Sequence, residues 1–183
     1  LARILLILFF IPVYLLSKKK EHYKYAYFYV RLWCKGVFYG MGFRYELINK
    51  TNKKIDRNQQ YVIIANHTSI VDIFIPVLLF PHHPICFVGK KELVKMPSFG
   101  TIYKRICVMV DRSSPKSRAE VYERCAERME EGDSIVIFPE GGVPDDTSVI
   151  LDKFKDGAFI LSNKHQSPLA VFTFVGPKEM FPF

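Results

Sequence analysis

His67 and Asp72 lie five residues apart in a stretch where an apolar run, residues 61–65, gives way to Asn66-His67-Thr68-Ser69. A histidine can take a proton near neutral pH, and a carboxylate beside it can fix its tautomer and stabilise the imidazolium that results. Polar groups at the carboxyl end of a buried strand sit where open α/β sheets gather binding and catalytic residues. The spacing limits how the two can meet. Five residues of continuous α-helix turn through about 500°, leaving the side chains roughly 140° apart. Contact requires His67 in the strand-to-helix turn, Ser69 as the helix cap and Asp72 in the first turn. The plain alternative is a capping histidine and an aspartate placed at a helix N-terminus for its charge alone.

The elements that must hold this pair follow from the pattern of the chain. Residues 51–60 are polar and read as a loop, which marks a boundary between residues 1–50 and 51–183. Residues 61–65 read as the first strand. Residues 70–80 read as a short helix interrupted at Pro76, ended by Pro81-His82-His83-Pro84, a surface turn and not a metal site. Further strands are expected at 85–88, 106–110, 134–138 and 169–175. Met96 to Gly100 reads as a turn. A helix opens with Ser114 as cap and Pro115 at its first position, and runs to about residue 131 before Gly132. The run 150–154 leads through Lys155-Asp156-Gly157 into a last helix ending near Asn163. Strands alternating with helices predict an α/β fold with a central, mostly parallel or mixed sheet flanked by helices. Strand ends then gather Asn66-His67, Gly89-Lys90, Asp111-Arg112 and Glu140-Gly141, a base beside several cations. There is no G-x-S-x-G elbow, and Gly141-Gly142 lacks the Lys-Ser/Thr of a P-loop.

The chain has 183 residues, 49% hydrophobic and 24% charged, which excludes a disordered chain and suits one domain with an appendage. A formal charge of +8 implies an anionic partner. Cys34, Cys86, Cys107 and Cys125 form no C-x-x-C pair and read as reduced packing residues. A start at Leu1 and a stop at Phe183, just past a strand, imply a longer parent chain. Residues 4–16 are almost wholly apolar but contain Pro12 and fall short of the ~20 residues a helix needs to span a bilayer. Lys18-Lys19-Lys20 come next, then ten aromatic residues between Tyr23 and Tyr45 interleaved with Lys24, Arg31, Lys35 and Arg44. Tyrosine and tryptophan favour the bilayer interface, and positive charge after an apolar run places the downstream segment in the cytoplasm. Residues 1–50 are therefore expected to be an N-terminal membrane-associated helical segment. It would hold the protein on the cytoplasmic face of the cell membrane, as an anchor or monotopically, against an anionic surface. Single-stranded nucleic acid is the other partner such a composition suits; the preceding apolar run favours lipid, so no nucleic-acid partner is expected.

Taken together, these residues resemble the glycerolipid acyltransferase family, whose best-known members are the lysophosphatidic acid acyltransferases. Residues 66–72 look like its H-x-x-x-x-D signature. Gly89-Lys90-Lys91-Glu92-Leu93, Pro97-Ser98-Phe99-Gly100 and Val110-Asp111-Arg112 look like the second block. Phe138-Pro139-Glu140-Gly141 looks like the third, with Phe154-Lys155-Asp156-Gly157 behind it; Ser167-Pro168-Leu169-Ala170 is weakly similar to the fourth. The match covers roughly residues 60–175, and the order and spacing of the blocks carry it.

The resemblance implies acyl transfer from acyl-carrier protein or acyl-CoA to the sn-2 hydroxyl of lysophosphatidic acid, with no metal or organic cofactor. His67 would be the base and Asp72 its orienting carboxylate. Lys90 and Arg112 would hold the acceptor phosphate. Glu140, with backbone amides around Gly141 and Gly142, would order the pocket and meet the developing oxyanion. One departure stands out: the family's third block continues with Thr and Arg, where this chain has Gly142 and Val143. Without that arginine, either Lys90, Arg112 and Lys155 suffice, or the acceptor is another lysolipid or an aminolipid. A metal-dependent phosphohydrolase using His67, Asp72 and Asp111, and a non-catalytic membrane-binding module, are the remaining alternatives.

Overall fold

The structure, a computed structural model, describes residues 2–51, 53–144, 149 and 151–180, with side chains from residue 8 onward. Five strands form one sheet: β1 (Val62–Ala65), β2 (Ile85–Lys90), β3 (Val108–Val110), β4 (Ser134–Ile137) and β5 (Leu169–Phe172). Their order is β3-β2-β4-β1-β5 and every pairing is parallel. The expected α/β architecture is present, with a purely parallel sheet. Parallel strands are covered on both faces, which is why β1 and residues 135–137 of β4 read as continuous apolar runs and not as alternations.

The two faces separate by residue parity. Ile63, Ala65 and Val136 pack with Tyr27, Val37, Phe38, Phe74 and Leu78 from α2 (Tyr23–Gly40) and α3 (Phe74–Leu79). Val62, Ile64 and Ile135 pack with Cys125, Ala158 and Leu161 from α5 (Pro115–Glu130) and α6 (Gly157–His165). Because all strands run the same way, their carboxyl ends lie along one edge, and the polar strand ends meet there.

Several boundaries differ from expectation for local reasons. Residues 70–73 form a 3-10 turn before α3, and Pro76 does not interrupt the helix. It sits in the first turn of α3, where its missing N–H has no intrahelical partner to lose. The strand expected at 106–110 is only Val108–Val110, because α4 (Phe99–Ile106) occupies residues read as turn and strand. The strand expected at 169–175 stops at Phe172. Beyond it, the Asn66 side chain takes over the ladder's role, donating to Phe174 O (3.0 Å) and accepting from Phe174 N (2.7 Å). His83 is buried against Tyr61 and Phe80, against the surface-turn reading, while Pro81 and His82 are exposed as that reading required. Ser114 caps α5 by accepting from Ser117 N, with Pro115 at the first position, as read. Within the run expected to lead into α6, Ile150 lies outside the described residues, as do the terminal Leu1 and Phe183.

The aromatic segment forms α2, and it is two-sided. Tyr23, Ala26, Tyr27, Cys34, Val37 and Phe38 are buried in the core, while Tyr25, Phe28, Leu32 and Tyr39 are exposed on a common stripe. α1 (Ala2–Leu16) packs along α2 and likewise exposes Leu8, Ile11 and Leu15. No helix among the described residues is long and apolar enough to cross a membrane.

Two glycines let α4 approach its neighbours. A Cβ on Gly100 would fall on the backbone carbonyl of Val94, and one on Gly89 would fall on the Tyr103 hydroxyl. In a helix, Gly→Ala normally stabilises by about 1 kcal/mol. At position 100 the sign reverses, because the obstacle is backbone. Gly100→Ala is expected to destabilise by about 1–3 kcal/mol. Thermal unfolding would show this as a fall of roughly 2–4 °C per kcal/mol; an unchanged or raised midpoint would contradict the packing.

Candidate active site

β1 ends at Ala65, and the chain turns through His67 before Ser69 opens the 3-10 turn. Ser69 and Asp72 form a capping box: the serine side chain accepts from Val71 N, and Asp72 Oδ2 accepts from Ser69 N at 2.8 Å. The same oxygen accepts from Thr68 N at 2.6 Å and lies 3.1 Å from His67 Nδ1. All three conditions set by the spacing are met, with His67 in the turn, Ser69 as the cap and Asp72 in the first turn. The capping role and the histidine contact are not alternatives, since one carboxylate oxygen performs both. Asp72 is fully buried at 0% exposure, while the His67 side chain keeps 16%. Asp72 Oδ1 makes no hydrogen bond among the described residues. Placing a carboxylate there is costly unless its contact with His67 matters.

A carboxylate oxygen only accepts, so this arrangement puts the imidazole proton on Nδ1 and leaves Nε2 with a free lone pair. Two further contacts hold the ring. His67 N donates to Glu140 Oε1 at 2.6 Å, and the imidazole stacks on Phe138 with centroids 4.0 Å apart. Glu140 is buried at 4% exposure, and its Oε2 accepts from Asp152 N at 2.8 Å. Both of its oxygens are therefore engaged by backbone amides, tying the end of β4 to the His67 turn and to the segment before α6. Phe138 opens the third block, but the sequence alone assigned it no role of its own. Its signal was position, as the last apolar residue before Pro139-Glu140.

Lys90 ends β2, Arg112 comes just after β3, and Lys155 precedes α6. All three converge on Gly141-Gly142. A Cβ on Gly142 would come 3.1 Å from Arg112 Nη1 and 3.7 Å from Lys90 Cε, and one on Gly141 would collide with Lys155 Nζ. Gly141 also has φ 90, a left-handed conformation suited to glycine. The glycines thus admit the cations where side chains would exclude them. Partial burial pulls the Arg112 guanidinium below its ordinary pKa, opposed by Glu92 and Tyr103. Arg118 Nη1 donates to Arg112 O at 2.7 Å and Tyr103 Oη to Lys90 O at 3.2 Å, so both cation-bearing backbones are held. Of the amides expected to meet an oxyanion, that of Gly141 already donates to Phe138 O at 3.0 Å. Among the described residues no group of three or more His, Cys, Asp or Glu side chains is placed to hold a metal ion.

A strand-end histidine held by a buried carboxylate, beside a patch of three cations, can take a proton from a hydroxyl whose molecule carries an anion. Comparison with known proteins agrees. An acyltransferase family model matches residues 47–174, and the chain belongs to that family. It is 30% identical over 123 residues to a 1-acyl-sn-glycerol-3-phosphate acyltransferase of Helicobacter pylori, covering 66% of this chain and 50% of that protein. It is 26% identical over 123 residues to a lyso-ornithine lipid O-acyltransferase of Rhizobium meliloti, covering 67% and 41%. The fold is similar to the crystal structure of the 1-acyl-sn-glycerophosphate (LPA) acyltransferase PlsC from Thermotoga maritima. The TM-score is 0.62 at 18% identity, over 92% of this chain and 73% of that one. The chain spans about half the length of the Helicobacter relative.

Proposed function

We propose that this chain carries the catalytic core of a 1-acyl-sn-glycerol-3-phosphate acyltransferase, moving an acyl group from acyl-carrier protein or acyl-CoA to the sn-2 hydroxyl of lysophosphatidic acid. The observation that carries the reading is the His67 Nδ1 to Asp72 Oδ2 contact of 3.1 Å, which leaves Nε2 to act as base. In this mechanism Nε2 removes the hydroxyl proton as the oxygen attacks the thioester carbonyl. The tetrahedral adduct then expels the thiolate, which takes the proton back from Nε2. Asp72 stabilises the intervening imidazolium. Glu140 and Phe138 hold the ring so that little reorganisation is needed.

Lys90, Arg112 and Lys155 would bind the acceptor's phosphate. Their convergence on Gly141 and Gly142 supports them as replacements for the arginine that Val143 displaces, since the space a larger residue at Gly142 would fill is bordered by Arg112 and Lys90. Val143 keeps a second reading open, an acceptor such as a lyso-aminolipid, which the Rhizobium relative acylates by its name. Arg112→Ala tests between them. With lysophosphatidic acid, loss of a charge-assisted pair is expected to raise KM by roughly 10-fold or more, with kcat largely kept. An equal defect with an unphosphorylated acceptor would remove the phosphate role.

Residues 1–50 would serve as the membrane-anchoring part and 51–183 as the acyltransferase domain, placed at the cytoplasmic face of the cell membrane. The exposed stripes of α1 and α2, with Lys18, Lys19 and Lys20 between them, support attachment to an anionic membrane surface.

A further inference from the structure

The carboxyl edge of the sheet carries one apolar surface that the site does not use. From the end of β2 to the first residue of α4, residues 91–99 form a 3-10 turn and a tight bend, and all but Val94 are exposed. Leu93 is 36% exposed, Met96 49% and Phe99 37%. Lys95 and Lys104 flank them and form no ion pair among the described residues, while Lys91 lies 3.9 Å from Asp111. Glu92 is the one acidic residue of the segment.

This exposure is held in place by the fold. Ser98 has φ 61 and ψ −56 at the centre of a γ-turn closed by Phe99 N donating to Pro97 O at 2.6 Å. That conformation is rare and strained, and strain persists only where the surroundings impose it. Gly100 seated on the Val94 carbonyl provides that constraint. Apolar side chains are thus fixed outward at the end of β2, immediately after Lys90. At its other end α4 is fastened to α1: Arg105 Nη1 donates to Tyr14 O at 3.0 Å and its guanidinium covers the Tyr14 ring at 4.7 Å.

We propose that residues 91–99, with Lys104, form a membrane-contact surface separate from the exposed stripes of α1 and α2, fitted to a bilayer with anionic headgroups. Leu93, Met96 and Phe99 enter the interfacial layer, and Lys95 and Lys104 meet the headgroups. This places lipid contact on the sheet edge that carries His67. The proposal rests on the membrane reading above, and the test separates the two.

The full chain is measured for binding to phosphatidylcholine vesicles with and without phosphatidylglycerol. Three variants are compared: Met96→Asp with Phe99→Asp, Lys95→Glu with Lys104→Glu, and Leu8→Asp with Ile11→Asp as the α1 control. Circular dichroism establishes that each folds. The Met96/Phe99 variant is expected to bind both vesicle types at least ~10-fold more weakly. The lysine variant should lose affinity only for phosphatidylglycerol vesicles, roughly fivefold per charge. Turnover of a dispersed short-chain lysolipid with acyl-CoA should be unchanged in both. Undiminished binding by the Met96/Phe99 variant, with binding lost in the α1 control, overturns this surface and leaves the membrane reading standing. Absence of vesicle binding by the wild type overturns both. Intact vesicle binding with loss only of carrier-protein-supported turnover would make the segment a donor-protein dock and also overturn the proposal.

Discussion

His67→Ala is expected to reduce acyl transfer by roughly 10²–10⁴-fold, the usual worth of a positioned general base. The fold should survive, because the features that shape this turn do not depend on the imidazole. Glu140 is met by the backbone amide of His67, and the Ser69 cap uses other amides. The stack on Phe138 and the Nδ1 contact to the buried Asp72 Oδ2 are lost, but that oxygen still accepts from Thr68 N and Ser69 N. Vesicle binding should also be retained, since His67 belongs to neither apolar stripe. A large fall in turnover with unchanged unfolding and lipid binding is therefore the signature. Near-normal turnover by the folded variant would remove His67 from the chemistry.

The second large effect is expected at Asp72. Asp72→Asn keeps the shape of the side chain but removes the charge and one acceptor oxygen. If the amide oxygen stays over Thr68 N and Ser69 N, the amide nitrogen falls where Oδ1 sits, a buried position without a hydrogen-bond partner for the carboxylate among the described residues, and the imidazolium loses its counter-charge. If the amide flips, it donates to Nδ1, puts the ring proton on Nε2 and leaves no base. Either outcome lowers kcat by roughly 10²–10⁴-fold, as for orienting carboxylates elsewhere. Unlike His67→Ala, this change also weakens the capping box, and a loss of about 1–3 kcal/mol is expected for the buried group left unpaired. A kcat defect together with a lowered unfolding midpoint separates Asp72 from His67. A variant with normal kcat and lowered stability would make Asp72 a cap alone.

What could be read from the residues divides along physical lines. The central strands were legible because parallel strands covered on both faces are apolar through their middle, as in 62–65 and 135–137. The cap at Ser114-Pro115 was legible because its chemistry is local. The Ser69-Asp72 box was read only as a condition, since five-residue spacing permits or forbids contact depending on where the helix begins. α4 was missed because Met96-Pro97-Ser98 looks like a turn, and it is one; what starts the helix at Phe99 is Gly100 fitting against Val94, a tertiary contact. The ends of β5 and the burial of His83 likewise depend on side chains distant in sequence, Asn66 in one case and Tyr61 in the other. The cation patch was foreseen as a set of strand ends. Its focus on Gly141 and Gly142, which gives a physical sense to the departure at Val143, required the packed structure.

The central claim is that His67, oriented by Asp72, deprotonates the sn-2 hydroxyl of lysophosphatidic acid. It is tested most directly by a mass-spectrometric product assay. Wild-type and His67→Ala protein are each given a mixture of lysolipids with acyl-carrier protein or acyl-CoA as donor. Phosphatidic acid should form with the wild type and fall by at least ~10²-fold in the variant. Phosphatidic acid formed at the same rate by both proteins, or a wild type that acylates only unphosphorylated acceptors, would contradict it.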